Sequence, residues 1–170
     1  MGGGCDHLVH STSQEPYEVY LKLESLNGMQ RVCKEALPNE TIGLLVGSHN
    51  VSRGFHYTIV DGFLVGETKS SRISVEFESG AMGPLVAELR TRYPGSMLVG
   101  WFHSHPGYGC FLSHTDLVTQ RSYFREEYHA ALVIDPIKGV FDIFKLHDDS
   151  QGYRQCSFAI LDGTAGRVLR

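Results

Sequence analysis

A mixed β-sheet with helices packed on it, of the α/β or α+β class, is the fold this sequence predicts. Three observations point to it. Short apolar or alternating runs of strand length interleave with stretches whose apolar residues recur every three or four positions. Their order, β-α-β-β-(β)-α-β-α-β-β-β, combines hairpins with helical crossovers, so the strands run in both directions. Finally, 42% hydrophobic and 20% charged residues in a chain of 170 suit one ordinary packed core.

The elements follow in order. Residues 1–15 are rich in Gly, Ser and His and read as a flexible tail, residues 16–161 as one domain and 162–170 as a polar C-terminal tail. Tyr17 to Leu21 alternates apolar and polar residues and predicts a first strand. From about Ser25, Leu26, Met29, Cys33, Ala36 and Leu37 form one helical face, which Pro38 and Asn39 stop. TIGLLVG, Thr41 to Gly47, reads as a buried strand, and the following SHNVSRG as a turn. Phe55 to Val65 is a second long strand with a bulge at Asp61-Gly62. ETKSSR, Glu67 to Arg72, is a polar loop, and Ile73 to Phe77 alternates like a short strand. A helix is expected over Glu78 to Tyr93, with Met82, Leu85, Val86 and Leu89 as its apolar stripe and Pro94-Gly95 as its end. Met97 to Phe102 is a fully apolar central strand, and a loop from Pro106 to Leu112 leads to a helix over Ser113 to Phe124. Three strands close the chain: Ala130 to Ile134, Val140 to Leu146 and Gln155 to Leu161.

Composition excludes several classes. A net charge of -4 without a Lys/Arg cluster argues against a nucleic-acid binder. No apolar run reaches the ~18 residues that span a bilayer. The first residues lack the charged and apolar regions of a secretory signal, so a cytoplasmic location is expected. Cys5, Cys33, Cys110 and Cys156 show no structural-zinc spacing and read as reduced thiols. Cys33 and Cys156 lie in core contexts, and Cys110 in a Gly-rich loop.

Chemistry concentrates in GWFHSHPGYGCFLSHTD, Gly100 to Asp116. His103 and His105 are two apart on a strand, so their imidazoles share a face. Pro106 ends that strand, which predicts both histidines at the sheet edge and open to solvent. Ser113 and Asp116 have the spacing of a capping box. A helix start is also a fixed point from which an Asp can be aimed at a strand end. Two histidines and an aspartate with a fourth position free make up a catalytic zinc site rather than a structural one. His-Ser-His-Pro, six residues, Ser, two residues, Asp fixes six positions, a chance match on the order of 10⁻⁶ per chain at ordinary residue usage. The remaining histidines have no partner at ligand spacing; His49 and His56 merely flank a turn.

This pattern resembles the JAMM motif of the MPN+ zinc metalloproteases. Its flanks, GWFHSHPGYGCFLS and the downstream ALVIDP, are most similar to those of proteasome-lid deubiquitinases and signalosome deneddylases. The resemblance covers about residues 17–147 and includes the upstream segment E-x-x-G-L-L-x-G, here Glu40 to Gly47. It implies a single MPN domain built on a curved mixed sheet. It also implies one zinc ion per chain on His103, His105 and Asp116, Glu40 as general base and Ser113 as an oxyanion donor. Ser104, between the histidines, faces the other way and takes a structural role. The implied substrate is the C-terminal tail of ubiquitin or a ubiquitin-like protein joined to an amine, with Ile73, Val75 and Phe111 as contacts. Partners in a proteasome-like assembly are compatible with it. A protease acting on a sulfur-carrier protein and a non-catalytic MPN scaffold are the alternatives.

Overall fold

The computed structural model describes residues 16–66, 82–149, 151–163 and 167–169. Among them the chain runs β1 (Val19–Lys22), α1 (Leu23–Glu35), β2 (Ile42–Ser52), β3 (Phe55–Val65), α2 (Met82–Arg92), β4 (Met97–Ser104), α3 (His114–Tyr123), β5 (Ala130–Asp135), β6 (Val140–Leu146), β7 (Tyr153–Gln155), β8 (Phe158–Asp162) and β9 (Arg167–Leu169). The strands form one sheet in the order β7-β6-β5-β4-β2-β3-β1-β8-β9. β1 runs parallel to β3 and β8, and β4 parallel to β5, while the other pairs are antiparallel. The expected mixed sheet is therefore present.

Its curvature follows from connectivity. β7 and β8 lie at opposite sides of the sheet, yet only Cys156 and Ser157 separate them. Cys156 N–H donates to Ile143 O of β6 at 3.0 Å, and Ser157 O accepts from Val19 N–H of β1 at 3.1 Å. The sheet must curl to bring β6 and β1 within two residues of each other. Residues 155–161, expected as one strand, are for this reason two. Arg167–Leu169, expected within a tail, pairs with β8.

The SHNVSRG segment also departs from expectation. β2 continues through Ser52, and the turn is only Arg53-Gly54, both at positive φ (50° and 80°). That is a tight two-residue hairpin, whose backbone twist matches its strands. The polar residues His49 and Asn50 reflect a partly solvated strand rather than a turn. The bulge expected near Asp61 is present: Val46 pairs with Gly62 and Gly47 with Val60, so Asp61 is the extra residue. A second irregularity pairs Leu45 with Gly100 and Val46 with Leu98. Gly100 sits at φ 151°, and a Cβ there would lie 2.0 Å from Ala130 O of β5, so only glycine fits at this point of the strand that carries the histidines.

Both faces of the sheet centre are covered. Leu26, Met29 and Cys33 of α1 pack on Leu45, Phe102 and Leu132. On the other face Leu89 of α2 and Phe124, just after α3, join Leu44, Trp101 and Val133. β5 is buried along its whole length, as suits a strand with neighbours on both sides and helices above and below. The expected start of α2 at Glu78 and the strand Ile73 to Phe77 lie outside the described residues.

Candidate metal centre

β4 ends between β2 and β5. His103 is paired with Ile42 on one side and Val133 on the other, and His105 N–H donates to Ile134 O at 2.8 Å. The histidines therefore lie at the end of a central strand, not at a sheet edge. They are also buried rather than open: His103 is 0% and His105 6% exposed. Alternation puts both rings on one side, with centroids 4.7 Å apart. The Trp101 ring stacks on His103 at 4.4 Å, and Phe111 lies 4.7 Å from His105.

The third group comes from α3. Ser113 is its N-cap: Asp116 N–H donates to Ser113 Oγ at 3.2 Å, and Ser113 N–H donates to Asp116 Oδ2 at 2.7 Å. This reciprocal box locks the Asp116 carboxylate. Oδ2 then lies 3.3 Å from Nε2 of both histidines. Burial acts to raise the Asp116 pKa, but the two imidazoles and Ser113 outweigh it and hold the carboxyl far below its usual range.

Among the described residues, both ring nitrogens of His103 and Nδ1 of His105 are buried without a hydrogen-bond partner. Orphaned groups of this kind are uncommon and costly in folded proteins. One donor atom from each of His103, His105 and Asp116 lies within 4.8 Å of the others. Two imidazoles and a carboxylate, with no thiolate, fit a small borderline cation such as zinc.

Glu40 is half-buried just ahead of β2. Ser104 anchors this stretch: Thr41 N–H donates to Ser104 Oγ at 2.8 Å, and Ser104 N–H donates to Thr41 O at 2.9 Å. Ile42 pairs with His103, so the same register continued by two residues sets Glu40 opposite His105. Glu40 lines a groove of about 560 Å³ with Leu37, Pro38, Pro106, Tyr108 and Ile137. Phe111 is 39% exposed beside His105. Ile73 and Val75 lie outside the described residues.

Residues 14–128 match the JAB1/Mov34/MPN/PAD-1 ubiquitin protease family. That span is more than half of the chain and includes Glu40, His103, His105, Ser113 and Asp116. The chain belongs to this family. The ubiquitin carboxyl-terminal hydrolase RPN11 of Saccharomyces cerevisiae is 33% identical over 137 residues, which are 76% of this chain and 44% of that protein. The 26S proteasome regulatory subunit rpn11 of Schizosaccharomyces pombe is 35% identical over 143 residues, or 78% and 44%. The chain thus spans less than half the length of these relatives. Among solved structures, a protein from Desulfitobacterium hafniense superposes with a TM-score of 0.60 at 22% identity, covering 88% of this chain and 98% of its own. A JAB1/MPN domain protein from Archaeoglobus fulgidus gives 0.52 at 16%, covering 82% and 97%. These two likenesses concern the fold.

Two positioning groups of this MPN domain escaped the sequence reading. Gln120 of α3 is fully buried, accepts from Trp101 Nε1–H at 2.5 Å and donates to Phe124 O at 2.9 Å. It ties the strand of the histidines to the helix of Asp116. Asp135 accepts the N–H groups of Gly107, Gly109, Ile137 and Lys138 at 2.8–3.0 Å, pinning the loop after His105. The only sequence signal for it was ALVIDP. Cys110 is half-buried, its thiol facing Val133 O, and burial pushes its pKa up to about 11. Among the described residues no helix is long and apolar enough to cross a membrane.

Proposed function

We propose that this MPN domain is a zinc-dependent isopeptidase that cleaves after the C-terminus of ubiquitin or a ubiquitin-like protein. The observation that carries the reading is the buried convergence of His103, His105 and Asp116, three of whose imidazole nitrogens have no hydrogen-bond partner among the described residues. These residues would hold one zinc ion per chain, which supplies Lewis acidity and lowers the pKa of water at the site towards ~7. Glu40 takes the proton of the attacking water and returns it to the leaving amine. The Ser113 oxygen is engaged with Asp116 N–H, which leaves its own hydrogen to donate to the carbonyl oxygen as charge develops there. Asp116, locked by the cap, holds its carboxylate in place through the reaction.

The substrate assignment draws on a relative named for ubiquitin hydrolysis and on the groove beside Glu40. Phe111, Ile73 and Val75 are the contacts proposed for an extended tail, a kind of peptide that can add to a sheet edge. Conjugates of ubiquitin-like proteins are accordingly the partners, and relatives named as proteasome subunits make a larger assembly a natural setting. The free thiols Cys33, Cys110 and Cys156 fit a reducing compartment such as the cytoplasm. The test is to incubate the zinc-loaded protein with ubiquitin, ubiquitin-like and sulfur-carrier proteins that carry C-terminal extensions. Cleavage after the ubiquitin-type tail, abolished by a chelator, supports the reading. Cleavage of the sulfur carrier alone reassigns the substrate, and binding without cleavage indicates a scaffold.

A further inference from the structure

A second group of metal-ligand side chains lies further along β2 than Ile42, the partner of His103, where β2, β3 and the loop before β5 meet. His49 pairs with Thr58 across the hairpin, and His56 precedes Thr58 by two residues, so His49, His56 and Thr58 share one face. His49 Nε2 lies 2.9 Å from His56 Nδ1, which lies 2.6 Å from Glu127 Oε1. Whichever tautomer His56 adopts, its single Nδ1 faces two groups and makes a simple hydrogen bond to only one of them. A single cation would engage all three lone pairs.

The arrangement is held from outside as well. Lys145 Nζ donates to Glu127 O at 2.9 Å, and Thr58 Oγ1 donates to Tyr128 O at 2.8 Å. His129 N–H donates to Glu126 O at 2.9 Å, closing the turn that presents Glu127. The His49 ring is stacked between His56 at 5.1 Å and Tyr128 at 4.8 Å. The His49 ring and the backbone that presents Glu127 are therefore both held in place.

We propose that His49, His56 and Glu127 form a second, peripheral site for a divalent transition ion, with zinc, nickel or copper as the class it takes. Two imidazoles and a carboxylate select these ions over magnesium or calcium, which prefer oxygen. Bonds of ~2.0–2.1 Å make a tetrahedron with edges of roughly 3.3 Å. The two contacts of His56 need to lengthen by less than about 1 Å, and all three donor atoms already lie within 4.8 Å of one another, an adjustment that half-exposed side chains can make. Solvent completes the coordination. The ion clips the β2–β3 hairpin to the turn ahead of β5, so its role is structural.

The site is tested by counting zinc at pH 7.5 by equilibrium dialysis and by following the imidazole nitrogens of His49 and His56 by NMR. The wild-type chain is expected to bind two zinc equivalents and the His49→Ala/His56→Ala variant one. In an Asp116→Asn background one equivalent remains, and it shifts the His49 and His56 signals. Glu127→Gln, a milder surface change, weakens that equivalent at least tenfold. Equal zinc content in wild type and His49→Ala/His56→Ala, or no shift of either ring on adding zinc, overturns the proposal. Because the Asp116→Asn arm removes the central ligand, failure of one site is read separately from failure of the other.

Discussion

Replacing Ser104 by Ala removes one oxygen atom, and its consequences can be worked out from the contacts. Ser104 is 0% exposed, and its Oγ is the acceptor for the buried Thr41 N–H at 2.8 Å. An orphaned buried amide costs about 1–3 kcal/mol, so a loss near 2 kcal/mol is expected. For a domain of this size that lowers Tm by roughly 4–8 °C. The functional effect is separate. Thr41 is bonded to Glu40 and lies one residue before Ile42, the partner of His103. Loosening Thr41 lets the Glu40 carboxylate drift while the three metal ligands stay. General-base catalysis is worth about 10²–10⁴-fold, and a misplaced base should forfeit about tenfold of it in kcat. Urea unfolding gives the first quantity. Turnover of a ubiquitin C-terminal fusion well below Tm, with zinc content matched, gives the second. Ser104→Thr, which keeps the hydroxyl, should recover part of both. Full stability in Ser104→Ala would show that its hydroxyl does not hold Thr41, and a destabilised variant with unchanged kcat would show that Thr41 does not position Glu40.

Asp135→Asn tests the loop after His105. It exchanges an acceptor facing Gly109 N–H for a donor and removes the charge that serves four amides. Because Gly107, Ile137 and Lys138 are exposed and water can take over their amides, the expected loss is about 2 kcal/mol by urea unfolding, with zinc retained and KM for a ubiquitin fusion raised. Glu18 gives a pH dependence. Burial acts to raise its pKa, but Arg154 and Ser157 N–H outweigh burial and leave it lowered. Its stabilisation is therefore present above the unfolded value of ~4.3 and lost as pH falls through the folded one. Glu18→Gln should flatten the acid limb of a stability–pH curve measured by thermal unfolding and leave the alkaline limb alone. Cys110, with its pKa at about 11, and Cys156, at about 12, should react with iodoacetamide at pH 7.5 much more slowly than a free thiol, as mass spectrometry of timed samples would show.

What the sequence made legible was local. His103 and His105 share a face because a strand repeats every two residues, and Ser113 aims Asp116 because a capping box spans three. Amphipathic spacing found α1, and an isolated Asp-Gly in an apolar run found the bulge of β3. What stayed hidden depends on residues distant in the chain. Ser104 meets Thr41 across 63 positions, and Asp135 meets Gly107 across 28. The burial of His103 comes from the covered position of β4, which alternation alone cannot tell from an edge. The split at Cys156-Ser157 exists because adjacent residues serve opposite ends of a curled sheet. His49 and His56 seemed to flank a turn because their polar setting hid a two-residue hairpin at Arg53-Gly54. Once that turn is tight, seven positions of separation become a diagonal cross-strand pair.

The central claim is hydrolysis at a zinc site with Glu40 carrying the proton. It is tested most directly by single-turnover cleavage of a ubiquitin C-terminal fusion by Glu40→Gln, with zinc at the central site quantified in the same samples. Zinc is expected at the wild-type level, with cleavage slowed about 100-fold or more. Near-wild-type cleavage with zinc bound would contradict the claim.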